Sequence, residues 1–124
     1  MPPRTLESLL ERYPAEVQRL GRAARALILR VLPDTEETVD GTAPVVGYGY
    51  GTGYKGAVCT LLLSKGGVKI GVAYGATLPD PDHLMSGSGK VHRFVQLLSQ
   101  ADLGKASLLT LLRAARAAAR DRLA

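Results

Sequence analysis

An α+β sandwich is the fold class that this sequence predicts, and three observations predict it. Helical periodicity fills both ends of the chain, glycines and short β-branched runs concentrate between them, and no internal repeat or disordered linker divides it. The middle then forms an antiparallel sheet of four to six strands, with the N-terminal and C-terminal helices packed on one face. The other face is left to water, a ligand or a second subunit.

The elements follow in order. Residues 5–12 predict a short helix that Thr5 can cap, with Leu6, Leu9 and Leu10 on one side. Pro14 suits the first turn of a second helix over 14–31, where its missing N–H costs nothing. Val17, Leu20, Ala24, Leu27, Ile28 and Val31 recur at spacings of three and four and make its core stripe. Leu32-Pro33 stops it, because the residue before proline is pushed out of helical geometry. Asp34, Glu36, Glu37 and Asp40 read as an acidic patch around the turn that follows. Runs at 44–50, 57–64, 68–74 and 90–98 predict strands, and Lys65-Gly66-Gly67 predicts a hairpin between the second and third. Along the third, Val68, Ile70, Val72 and Tyr74 alternate with Lys69, Gly71, Ala73 and Gly75, one face apolar and the other small or polar. Leu78-Pro79-Asp80-Pro81-Asp82 is too rich in proline for a regular element and reads as an ordered loop. An alanine-rich helix begins near Lys105 and runs nearly to the end.

A chain of 124 residues with 46% hydrophobic and 22% charged residues is expected to be one soluble globular domain, since it can bury a core without disulfides or metals. Cys59 is its only cysteine, which excludes an internal disulfide. The leucines of the N-terminal segment are interrupted by charges, unlike a secretory signal, and the expected location is the cytoplasm. A net charge of +5 favours phosphate-bearing partners. Arg113, Arg116 and Arg120, however, line one helical face with no interleaved aromatics, which argues against nucleic acid and for a solvated face.

The best candidate site is the segment containing Gly87, Gly89, Lys90, His92 and Arg93. A turn with two glycines can aim successive N–H groups into one concavity, and three flanking cations would complete an anion pocket. The bland alternative is a tight turn beside solvated charges. If the turn holds a positive φ at Gly89, a β-branched residue there strains the backbone. Elsewhere the chemistry is sparse. Asp80 and Asp82 with His83 resemble a ligand set but suit bonds to neighbouring backbone N–H groups better. Cys59 lies in an apolar run and reads as core packing. Ser86 and Ser88 near His92 lack a nucleophile elbow, so no catalytic constellation emerges. Tyr48 and Tyr50 share one side of a strand whose intervening glycines leave the opposite side bare, open to a flat ligand or another backbone.

Four local patterns together resemble the YdhG-like family of domains of unknown function. These are Leu32-Pro33-Asp34 followed by Glu36-Glu37-Thr38, Gly75 with Leu78-Pro79-Asp80-Pro81-Asp82, Gly87-Ser88-Gly89-Lys90 with Arg93, and Ser99 with Asp102-Leu103. The resemblance implies a frataxin-like sandwich and, for some members, a proposed role as an iron chaperone. Iron would fall to Asp34, Glu36, Glu37 and Asp40, because hard cations prefer carboxylate oxygens. The glycine-rich segment 45–54 and Phe94, where relatives often carry histidine, depart from the family pattern. Three functions are therefore expected in order: a non-enzymatic module for a small anionic ligand, an iron chaperone, and a protein that dimerises through segment 45–54.

Overall fold

A computed structural model describes residues 5–40, 43–51 and 53–124. Thr5 caps α1 (Leu6–Leu10) by accepting from the Ser8 N–H, as expected. Pro14 takes the N-cap position of α2 (Ala15–Val31), one residue earlier than expected. Six strands follow: β1 (Glu36–Asp40), β2 (Val45–Gly49), β3 (Ala57–Ser64), β4 (Gly67–Val72), β5 (Met85–Ser86) and β6 (Arg93–Leu97). Two short 3-10 turns, Gly75–Thr77 and Gln100–Gly104, flank β5 and β6, and α3 (Ala106–Leu123) closes the order. The sheet is antiparallel throughout, with strand order β1-β2-β3-β4-β6-β5.

The period-2 alternation of side chains assigns each residue to a face. Val46, Leu61, Ile70 and Val95 stand opposite one another across four strands, all buried. They meet the stripe of α2 and the leucines of α3 in one continuous core. A register shift after Tyr48 places both Val58 and Cys59 opposite one position, and both are buried. Gly21 of α2 lies so close to the sheet layer that an added Cβ would meet Leu10 at 2.9 Å and Leu63 at 3.7 Å. Small residues on α2 thus set how closely it seats on β3.

Residues of the other parity form the open face. The row Thr38, Gly47, Thr60, Gly71, Phe94, Ser86 crosses all six strands, and the row Asp40, Val45, Leu62, Lys69, Gln96 runs beside it. Every one of these residues is half-buried or exposed. Among the described residues no helix covers them, and none is long and apolar enough to cross a membrane.

Two strands escaped the sequence reading. β1 occupies the segment expected to be an acidic turn, because pairing with β2 draws Glu37 and Val39 toward the helices while Glu36, Thr38 and Asp40 face out. β5 is only two residues long and exists through its pairing with β6.

Candidate functional site

The acidic residues separate onto two faces. Asp34 accepts from Arg116 at 2.9 Å, Arg120 at 2.7 Å and the Tyr50 hydroxyl at 3.0 Å, which ties α3 to the end of α2. The Arg116 bond, aided by Tyr50, holds its carboxyl at about 2. Glu37 accepts from Arg25 at 2.8 and 3.0 Å and from the Tyr48 hydroxyl at 2.7 Å. Burial pushes the Glu37 carboxyl up, and the Arg25 and Tyr48 bonds more than offset that, so it titrates below the ordinary range. Glu36 and Asp40 point from the opposite face. The four carboxylates therefore make no common ridge, and among the described residues no group of three or more His, Cys, Asp or Glu is placed to hold a metal.

The 87–93 segment is built around its arginine. Arg93 donates from Nε to the Gly89 carbonyl at 2.6 Å and from Nη1 to the Gly87 carbonyl at 3.1 Å. The turn thus presents carbonyl oxygens to the guanidinium. The positive φ falls at Gly87 (105°), not Gly89. Gly89 needs glycine for another reason, since a Cβ there would stand 2.6 Å from the His92 carbonyl. Lys90 is exposed and lies before the strand begins.

His92 belongs to a different construction. Its Nδ1 accepts from the Tyr74 N–H at 3.1 Å, so in the neutral ring Nε2 carries the proton and remains a donor. Tyr74 packs edge-on against the imidazole at 5.4 Å, and Tyr54 stacks on it at 6.2 Å. Tyr74 itself holds a left-handed backbone, φ 55° and ψ 28°, which is costly for an aromatic residue. Arg122 of α3 lies 3.9 Å over the Tyr74 ring and donates to the carbonyls of Lys55 and Ala57 at 2.9 and 2.8 Å. A strained residue is thereby held between a histidine and the last turn of the C-terminal helix.

Beside this stack, on the open face, lies a hollow of about 350 Å³. Gly71 and Thr60 form its floor; the absent side chain at Gly71 is what lets the Thr60 hydroxyl sit there, since a Cβ at Gly71 would collide with Thr60 Oγ1. Leu62, Ala73 and Phe94 wall it, Arg93 lines it beside Phe94, and His92 and Tyr54 stand at its rim. Lys69, outside the lining itself, holds its Nζ 4.5 Å over the centre of the Phe94 ring that walls the hollow. A second hollow of about 300 Å³ adjoins it over Gly47 and Gly49. A larger depression, about 800 Å³, lies on another side, between the start of α2 and the Lys65–Gly67 turn. Two of its polar side chains are already engaged, Arg19 by Glu16 and Gln96 by the Val68 and Leu97 carbonyls.

No protein-family model, curated protein or solved structure matches this chain. The site rests on its own geometry.

The remaining candidates settle simply. Asp80 accepts from the Leu84 and Met85 N–H groups at 2.8 and 2.9 Å and fixes its loop. Burial pushes the Cys59 thiol up to about 12, which removes its nucleophilicity at neutral pH. Tyr48 is buried and Tyr50 carries Arg120 5.7 Å from its ring centre, so neither ring is bare; Tyr54 is 76% exposed. Thr60, Leu62, Lys69 and Phe94 were not singled out from sequence as parts of one site. Their signal was the small-residue side of the 68–74 strand together with the bare side of segment 45–50.

Proposed function

We propose that this protein is a small binding module that takes a planar, negatively charged ligand in the hollow on the open face of its sheet. The observation that carries the reading is the hollow itself, about 350 Å³ with a floor of backbone and hydroxyl and walls of aromatic and aliphatic carbon. That size reaches the lower end of small-molecule sites, which are mostly apolar with a few polar groups that fix orientation. Gly71 lets a flat ring lie against the strand, Phe94 offers a stacking face, and Lys69 supplies the charge. The His92 Nε2–H is a further donor at the rim, held in that tautomer by the Tyr74 N–H. Strain stored at Tyr74 beside the hollow is of the kind that clusters at ligand sites. In this reading the anionic ligand expected from the 87–93 segment meets Lys69 of β4 beside Phe94, and Arg93, whose Nε and Nη1 serve the turn, also lines the hollow.

Titration of the isotope-labelled protein with 2-naphthoate, and with the neutral 2-naphthalenemethanol as its isostere, tests this. The carboxylate is expected to bind at least fivefold tighter than the alcohol, and Lys69→Ala to remove most of that preference. Equal affinities for the two compounds would refute the anionic part of the reading, and no saturable binding at millimolar naphthoate would refute the module.

A further inference from the structure

We infer that the open face also seats a second copy of this chain, sheet against sheet, about a two-fold axis that runs parallel to the strands between β2 and β3. The argument starts from the two rows of outward residues. Such an axis exchanges β2 with β3 and β1 with β4 while keeping each residue at its height along the strand. In the first row it sets Asp40 over Lys69 of the second copy and Val45 over Leu62. In the next it sets Thr38 over Gly71 and Gly47 over Thr60. An acid meets a base, an aliphatic meets an aliphatic, and each threonine meets a glycine.

Isologous contacts require this self-complementarity, in which a residue facing its counterpart is faced by it in return. Shifting the axis by half a strand spacing loses it: an axis along β3 sets Asp40 over Gln96 and Val45 over Lys69. Packed sheets cross at about 30° because each is twisted. Asp40 and Lys69 lie roughly 7 Å from the proposed axis, one and a half strand spacings, so the crossing offsets them by only about one residue of rise. That is within reach of a lysine side chain. The absent side chains of Gly47 and Gly71 allow the close approach that paired sheets need. Charge is placed at the periphery of the contact and small or aliphatic residues at its centre, the ordinary anatomy of an interface.

This inference goes beyond the ligand reading and does not depend on it. The two share Thr60, Leu62, Lys69 and Gly71, so a bound ligand and a second copy would compete for the same face. Ligand titrations at low protein concentration and sedimentation without ligand therefore report on them separately.

Sedimentation velocity from 10 µM to 1 mM is the test. The expected result is a concentration-dependent dimer that Asp40→Lys and Lys69→Asp each weaken at least tenfold, with the double variant restored to within about threefold of the original. A mixed sample of labelled and unlabelled chains is expected to show intermolecular NOEs between Val45 and Leu62 methyls, a readout that needs no variant. A monomer at 1 mM would overturn the inference. So would a dimer that both charge reversals leave intact and that lacks the Val45–Leu62 contact.

Discussion

Leu61 and Leu62 are neighbours on β3 and face opposite environments. Leu61 belongs to a row of aliphatic side chains that the helices bury completely, while Leu62 stands on a face with glycine, threonine and lysine around it. Polar groups differ in the same way. On the helix side Glu37, Tyr48 and Arg25 satisfy one another, and Asp34, Tyr50 and Arg116 do likewise. On the open side the Thr60 hydroxyl and the imidazole of His92, bonded through Nδ1 to Tyr74, line the hollow. One face is consumed by folding, and the other is left accessible.

Adjacent truncations on β3 probe that contrast most strongly. Leu61→Ala is expected to cost about 2–5 kcal/mol, because it removes a side chain from a closed core and leaves a cavity. Leu62→Ala is expected to cost less than ~1 kcal/mol, as a change on an accessible surface does. Chemical denaturation of both variants checks this, and similar costs would erase the distinction between the faces.

Within the open face the glycines differ. Gly71→Ala collides with Thr60 Oγ1 and is expected to cost about 1 kcal/mol through the rotamer that Thr60 must adopt. Gly47→Ala meets only the Thr38 carbonyl at 3.8 Å and should be tolerated. Adding Thr60→Ala to Gly71→Ala should relieve the strain. A double-mutant cycle with no coupling between positions 60 and 71 would remove Thr60 as the reason for the glycine.

A smaller effect sharpens the helix side. Asp34 titrates at about 2 in the folded protein, below its ordinary 3.8, so its stabilising contribution is complete above the higher value. It is lost as pH falls toward the lower one. The melting temperature should therefore drop less between pH 5 and pH 2.5 in Asp34→Asn than in the unaltered protein. Exposure of this ion-pair cluster keeps the difference modest. Identical pH profiles would mean that the Arg116 bond does not persist in solution.

Much of this architecture could be read in advance. The stripe of α2, the alanine-rich run of α3, the Thr5 cap and the alternation of β4 are local patterns, and local patterns survive folding. β1 was hidden because Glu36-Glu37-Thr38-Val39-Asp40 has the composition of a solvated turn; only its cross-strand partners, and the arginine that meets Glu37, make it a strand. The 87–93 cluster was legible as a cluster but not as a geometry, since nothing in the residue order says whether Arg93 faces carbonyls or an anion. The hollow draws on β3, β4 and β6 and on the segment holding Tyr54. No window of sequence contains it.

The most direct measurement of the account is a map of which backbone amides shift when 2-naphthoate is added. Perturbations are expected at Thr60, Leu62, Gly71, His92 and Phe94, with the helix-side amides of Leu61 and Ile70 smaller and those of α1 unmoved. A map centred instead on the 87–90 turn, or on the depression beside Arg19 and Leu98, would contradict the claim that the open face is the working surface.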